Sequence, residues 1–171
     1  MSELNRGFTL LELLVSLTLL AILSGLAAPG LRQMRHSQQV QHASIDLATA
    51  FILARQEAIT RQRPVIIDNL DDDWANGWQI FVDQDGDGGL DNSDPILLTS
   101  DSIASGVSIS GNTPVSRYVR YVPTGEAKMQ SGAFQAGTIT LCHEDGEQSL
   151  RKLVLSATGR LRTVTEAAGG C

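Results

Sequence analysis

From Phe8 to Leu31 the chain runs for 24 residues with Glu12 as its sole charge, and no other feature of the sequence restricts the fold so strongly. As a helix rising about 1.5 Å per residue this stretch reaches roughly 36 Å, enough to cross a hydrocarbon core of about 30 Å. The preceding residues, Met-Ser-Glu-Leu-Asn-Arg-Gly, are polar and carry one basic side chain, and the apolar run starts abruptly after them. A secretory signal would be cut behind its apolar region, yet no Ala-x-Ala-like site closes the run here. A carboxylate within such a span costs about 2.5–3.5 kcal/mol on insertion scales. Two accounts of Glu12 follow. It sits near the membrane surface and is tolerated there, or cleavage after Gly7 frees an α-amino group on Phe8 that partners it. Within one helix those groups lie four residues apart. Between staggered helices the same pairing sets an axial register.

Past Pro29 the pattern stays helical and becomes amphipathic, with Val40, Ala43, Leu47, Phe51, Ala54 and Ala58 recurring at spacings of three and four. Arg63-Pro64 should end the helix, because a residue before proline is pushed out of helical geometry. Sustained a/d heptads are absent, so a coiled-coil seam is the weaker reading of the stripe. Beyond Pro64 short β-branched and aromatic runs alternate with turn residues. Strands are expected at 65–68, 78–82, 96–99, 107–110, 118–122, 138–142, 153–156 and 161–164, with turns at Asn76-Gly77 and Pro123-Thr124-Gly125. One helix followed by many strands argues an α+β fold, the helix lying across an antiparallel sheet.

Two groups of residues carry a resemblance. Gly7-Phe8-Thr9-Leu10-Leu11-Glu12 followed by an apolar stretch resembles the prepilin cleavage and methylation motif of type IV pilins and type II secretion pseudopilins. Asn76-Gly77-Trp78-Gln79-Ile80-Phe81-Val82-Asp83, Tyr121-Val122-Pro123-Thr124-Gly125 and the late Gly159-Arg160 resemble the GspH/FimT family, which covers minor pseudopilin H of type II secretion and the FimT and FimU minor pilins. The resemblance implies a type IV pilin-like fold: a leader at 1–7, a membrane and assembly helix at 8–31, its amphipathic continuation at 32–63, and a β-rich head at 64–171. It implies that prepilin peptidase cuts after Gly7 and N-methylates Phe8, that Glu12 guides assembly, and that Pro29 marks a helix kink. The implied setting is a single pass through a bacterial inner membrane with the head in the periplasm, then a pilus or pseudopilus. The implied partners are other major and minor pilins or pseudopilins.

Charge is segregated along the chain. Residues 65–116 contain no Lys or Arg, whereas 148–165 contain Arg151, Lys152, Arg160 and Arg162 and no acid. In an extended Gly159-Arg160-Leu161-Arg162 the two guanidinium groups share a side, a spacing that suits phosphate. Solvent-facing arginines that protect an edge strand fit the residues equally well. The formal charge of −6 disfavours bulk attraction to nucleic acid, so any such contact is local. The resemblance implies DNA contact during uptake, through Arg160 and Arg162 helped by Arg151 and Lys152.

Asp83-Gln84-Asp85-Gly86-Asp87-Gly88-Gly89-Leu90-Asp91-Asn92-Ser93-Asp94 fits much of an EF-hand loop, so Asp83, Asp85, Asp87, Asp91 and Asp94 are candidate calcium ligands. Against this, the last position is Asp rather than Glu and the flanks read as strands, which favours a solvated hairpin loop. Otherwise no cofactor is expected. Cys142 and Cys171, with 28 residues between them, are expected to form a disulfide in an oxidising compartment. His36, His42 and His143 show no ligand spacing with one another or with the cysteines, which argues against metal catalysis. Gly106-Val107-Ser108-Ile109-Ser110-Gly111 misses a nucleophile elbow by one position. Trp74 and Trp78 are expected in the core or on a sheet face rather than in a binding cage. The sequence thus reads as a non-catalytic minor pilin of the FimT kind. Pseudopilin H is the alternative, and a calcium-binding exported module, which leaves Glu12 unexplained, is the reading from another class.

Overall fold

The computed structural model describes residues 9–103 and 105–169, with backbone alone at 28 and 29. Among these residues one helix, α1 (Leu10–Arg61), precedes eight strands: β1 (Val65–Leu70), β2 (Asp73–Val82), β3 (Ile96–Ser100), β4 (Val107–Gly111), β5 (Tyr118–Tyr121), β6 (Gly137–His143), β7 (Ser149–Leu155) and β8 (Leu161–Ala168). The chain divides into two compact units, one up to Arg35 and one from His36 onward.

In the first unit Leu10, Leu11, Leu13, Leu14, Val15 and Leu17 are all exposed, and so are the large apolar residues that follow as far as Leu26. Consecutive positions on a helix point in every direction, so this segment is apolar all round. Two of its hydroxyls bond the helix backbone instead: Ser16 Oγ donates to the Glu12 carbonyl at 2.7 Å and Thr18 Oγ1 to the Leu14 carbonyl at 2.8 Å. That bonding keeps both from facing lipid unpaired.

In the second unit the expected stripe is the buried face of α1: Val40, Ala43, Leu47, Phe51, Ala54 and Ala58 are each at most 3% exposed. Full burial of Leu47 and Phe51 stabilises by about 1.5–3 kcal/mol each. The three alanines let strand side chains approach the helix axis, and the Phe51 and Trp74 rings lie 5.8 Å apart. Both tryptophans are core residues. The helix stops two residues before Arg63, where Gln62 takes a left-handed conformation (φ 55°).

All eight expected strands are present and antiparallel, but in two four-stranded sheets rather than one, with orders β3-β2-β1-β5 and β4-β6-β7-β8. Adjacent strands rotate by roughly 20–25°. An eight-stranded sheet would therefore turn its inner face away from one helix, whereas two smaller sheets both contribute to one core. Val65, Ile67, Ile80 and Val119 come from the first sheet, and Ile109, Ile139, Leu141 and Leu153 from the second.

The turn expected at Asn76-Gly77 is elsewhere. The β1–β2 reversal falls at Asp71 and Asp72, both at positive φ (53° and 62°), the geometry of a two-residue hairpin turn that Asp tolerates. Gly77 lies inside β2, in the stretch where the register jumps from Asn69↔Trp78 to Leu70↔Asp73. A β-carbon there would collide with the Ser100 carbonyl oxygen, so the glycine serves close strand approach rather than reversal.

Candidate functional site

At the start of the described chain Thr9 Oγ1 accepts the Glu12 backbone N–H at 3.3 Å. Thr9-Leu10-Leu11-Glu12 is thus a capped helix start of the Thr-x-x-Glu type, with Glu12 in the first turn where the helix dipole favours an anion. This local role for Thr9 was legible in the spacing and went unread. Gly7 and Phe8 lie outside the described residues. Position 29 falls within α1, which is helical on both sides of it.

The late Gly159-Arg160 and the Pro123-Thr124-Gly125 turn, far apart in sequence, meet. Each is a tight turn closed by a glycine in left-handed geometry: Gly125 N–H donates to the Val122 carbonyl at 2.8 Å and Gly159 N–H to the Ser156 carbonyl at 2.9 Å, with φ of 78° and 76°. They pack so closely that a β-carbon at 159 would strike the Gly125 carbonyl oxygen. Arg55 reaches from α1 to hold both turns, donating from Nε to the Gly125 carbonyl at 2.8 Å and from Nη2 to the Thr158 carbonyl at 3.3 Å. The Pro-Thr-Gly and Gly-Arg motifs are therefore two halves of one structural clamp. Beside it Phe51, Ile52, Arg55, Ile59, Tyr121 and Arg160 line a cavity of 340 Å³. Burial pushes the Tyr121 phenol far above its ordinary value, against a downward pull from the Arg55 charge, so it stays neutral.

The basic residues do not form one face. Arg160 is exposed just before β8 and lines that cavity with the helix. Arg162 pairs with Val154 on β7 and, with Lys152 and Glu166, lines a separate depression on the outer face of the second sheet. Lys152 Nζ contacts Glu166 Oε2 at 2.6 Å. Arg151 sits opposite Leu141 and Thr165 and so points to the other face from Lys152. Arg160 and Arg162 enter no ion pair among the described residues, and β8 is an edge strand.

In the acidic loop Asp83, Asp85 and Asp87 come together, with a carboxylate oxygen of each within 4.8 Å of the others. Asp83 is wholly buried. Its Oδ1 accepts Gly86 and Gly88 N–H at 2.9 and 3.3 Å, and its Oδ2 faces Arg120 Nε at 3.4 Å. Asp94 accepts the Gln84 and Asp91 N–H groups at 2.8 and 3.2 Å. Asp91 accepts both the N–H and the hydroxyl of Ser93, hydroxyl first in effect, which lowers its carboxyl pKa. These carboxylates fold the loop on themselves, between strands rather than between helices.

Cys142 is buried on β6 at 3% exposure and is a bonded cysteine. Cys171 lies outside the described residues. The histidines show no ligand spacing along the sequence, yet in the fold two of them, His36 and His143, separated by more than a hundred residues, meet around Asp145. Sequence spacing carries no trace of a contact made only by folding, and Arg55 was hidden in the same way among the helix arginines.

Against known proteins, residues 43–159 match the family described as type II transport protein GspH, and residues 4–28 match the prokaryotic N-terminal methylation motif. The pilin-like protein PilA1 of Thermus thermophilus is 42% identical over 80 residues, covering 47% of this chain. The chain spans about half (49%) of that curated relative's length. Among solved structures, the type IV minor pilin FimU of Pseudomonas aeruginosa superposes with a TM-score of 0.58 at 23% identity, over 74% of this chain and 89% of that one. The minor pseudopilin EpsH from the type 2 secretion system of Vibrio cholerae does so with 0.55 at 12% identity, over 74% and 97%. With a pilin-like fold of one long helix and antiparallel sheets, and a family match across most of its length, this chain belongs to the GspH family.

Proposed function

We propose that the chain is a minor pilin of a type IV pilus, held in a bacterial inner membrane by its Phe8–Leu31 helix with the head in the periplasm, and then drawn with that helix into the filament among other pilins. The observation that carries the reading is the exposure of every large apolar side chain from Leu10 to Leu26. A helix apolar on all sides is stable only in lipid or among similar helices, and a filament core of packed helices offers the second environment. Kinship with a pilin-like protein favours a pilus. The family's association with type II transport supports the second reading, a minor pseudopilin. Loss of filaments on deleting the gene supports the first, and loss of protein secretion with filaments intact supports the second.

In this reading prepilin peptidase cuts after Gly7, methylates Phe8, and leaves its amine to pair with Glu12, while Pro29 bends the helix where the span ends. Mass spectrometry of assembled filaments should find methylated Phe8 as the first residue. Retention of Met1–Gly7 in filaments would overturn the scheme. Glu12→Ala should still insert in the membrane and be absent from sheared filaments.

DNA contact through Arg160 and Arg162, assisted by Arg151 and Lys152, is the finer part of the proposal. It is supported by two exposed arginines, one just before and one on the edge strand β8, that enter no ion pair among the described residues. Because the side chains line separate depressions, a phosphate backbone would have to run along the β8 edge to meet both. Two phosphate contacts give a log–log salt slope of about −2. An Arg160→Ala/Arg162→Ala variant whose DNA binding is unchanged would remove these residues from the mechanism. We also take Cys142 to pair with Cys171, which restricts the unfolded chain by roughly 3–4 kcal/mol.

A further inference from the structure

The geometry points to a transition-metal site, of the zinc kind, formed by His36 on α1 with His143 and Asp145 on the β6–β7 turn. The two imidazole rings stack with centroids 3.9 Å apart and planes 9° from parallel. Each presents Nδ1 to a different oxygen of one carboxylate: His36 to Asp145 Oδ2 at 2.7 Å, His143 to Asp145 Oδ1 at 3.2 Å. One ligand atom from each residue lies within 4.8 Å of the other two.

Donors on a shared zinc ion, each about 2.0–2.2 Å from it, stand roughly 3.3 Å from one another, so the 2.7 Å His36 contact must widen while the 3.2 Å His143 contact already matches. Two imidazole nitrogens with one carboxylate oxygen suit zinc, nickel or copper rather than calcium or magnesium. The site is built on rigid parts. His143 closes β6, and Gly146 N–H bonds its carbonyl at 2.9 Å, which holds Asp145 at the turn. A β-carbon at Gly106 would stand 2.9 Å from His143 Nε2, so a backbone closes that side and Nδ1 is the nitrogen left to ligate.

The Asp145 backbone N–H lies 3.3 Å from His143 Nδ1 and its carboxylate Oδ1 lies 3.2 Å from the same nitrogen, so the turn already holds carboxylate and ring side by side. An ion lies in the plane of each imidazole it binds, so loading must open the stack. His36, whose side chain is 35% exposed against 10% for His143, is the ring with room to swing.

The test uses the untagged full chain in detergent micelles, titrated with zinc and then dialysed. One equivalent should be retained per chain. His36→Ala and Asp145→Asn should each weaken binding by at least about tenfold, while His42→Ala and Asp85→Asn/Asp87→Asn leave it unchanged. Nitrogen NMR should show both rings ligated at Nδ1 with Nε2 protonated. Cobalt in place of zinc should give the visible bands of a low-coordinate site. His36 lies on the helix surface, so near-ultraviolet circular dichroism of His36→Ala should match the parent and exclude misfolding. Failure to retain zinc, or retention that His36→Ala leaves untouched, would reduce the cluster to a hydrogen-bonded His–Asp–His stack.

Discussion

Arg55 carries the clamp between the two Thr-Gly turns through two charge-assisted hydrogen bonds to backbone carbonyls. Removing it strands the part-buried Gly125 carbonyl and frees the exposed Thr158 carbonyl from the helix. Arg55→Ala should therefore destabilise by about 2 kcal/mol in urea unfolding, and Arg55→Lys should recover little, because an ammonium cannot span both carbonyls with one rigid fork. Gly159→Ala faces two penalties at the same clamp, a left-handed φ of 76° and a collision with the Gly125 carbonyl. A loss of at least about 2 kcal/mol is expected. Asp68 gives the pH prediction. Its pKa is raised, first by burial and also by Asp72, against the pull of Arg117 and a hydrogen bond from the Asn69 backbone. A carboxyl whose folded pKa exceeds its unfolded one binds its proton more tightly when folded. Its contribution falls as pH rises from the unfolded value through the folded one, and stays unfavourable at neutral pH. Asp68→Asn should raise the melting temperature slightly at pH 7 and have less effect near pH 3. An equal gain at both pH values would show that ionisation is not the cause.

At the scale of elements the β1–β2 hairpin makes a sharp prediction. Asp71 needs positive φ, which a β-branched residue resists by roughly 1–2 kcal/mol. Asp71→Val should cost about that much in thermal unfolding, while Asp71→Gly is neutral or stabilising. If Val were harmless, the reversal would not lie at this pair. The same hairpin separates what sequence reasoning could reach from what it could not. All eight strands were legible because alternation and β-branched runs are local signals, as was the buried stripe from Val40 to Ala58. Asn76-Gly77 misled because its glycine answers to the Ser100 backbone on β3, a contact with no local signature. The division into two sheets was illegible for a related reason: β4 joins β6 rather than β5, a choice made by how the inner faces share one helix. Of the candidate site, the Pro-Thr-Gly and Gly-Arg motifs were visible as strings. That Arg55 ties them together, and that Arg160 and Arg162 line separate depressions, depends on packing.

Among the described residues the core draws on none before Val40, and the most apolar window of α1 has none of its residues buried. The two units therefore answer to different solvents: the first needs an apolar medium, and the second carries its own interior from helix stripe and both sheets. A chain beginning at His36 keeps the stripe, the Arg55 clamp and every strand. It should remain monodisperse in detergent-free buffer, whereas the full chain should sediment unless detergent or lipid covers residues 10–26. Trp74 and Trp78, 1% and 2% exposed, report on the interior. Their near-ultraviolet circular dichroism should be the same in the fragment and in the detergent-bound full chain, because nothing that packs on them has been removed. A fragment that lost this signal while keeping its far-ultraviolet spectrum would be a molten globule. The apolar helix would then be supporting the head as well as anchoring it, and subunits would reach full order only after their helices were packed in a filament.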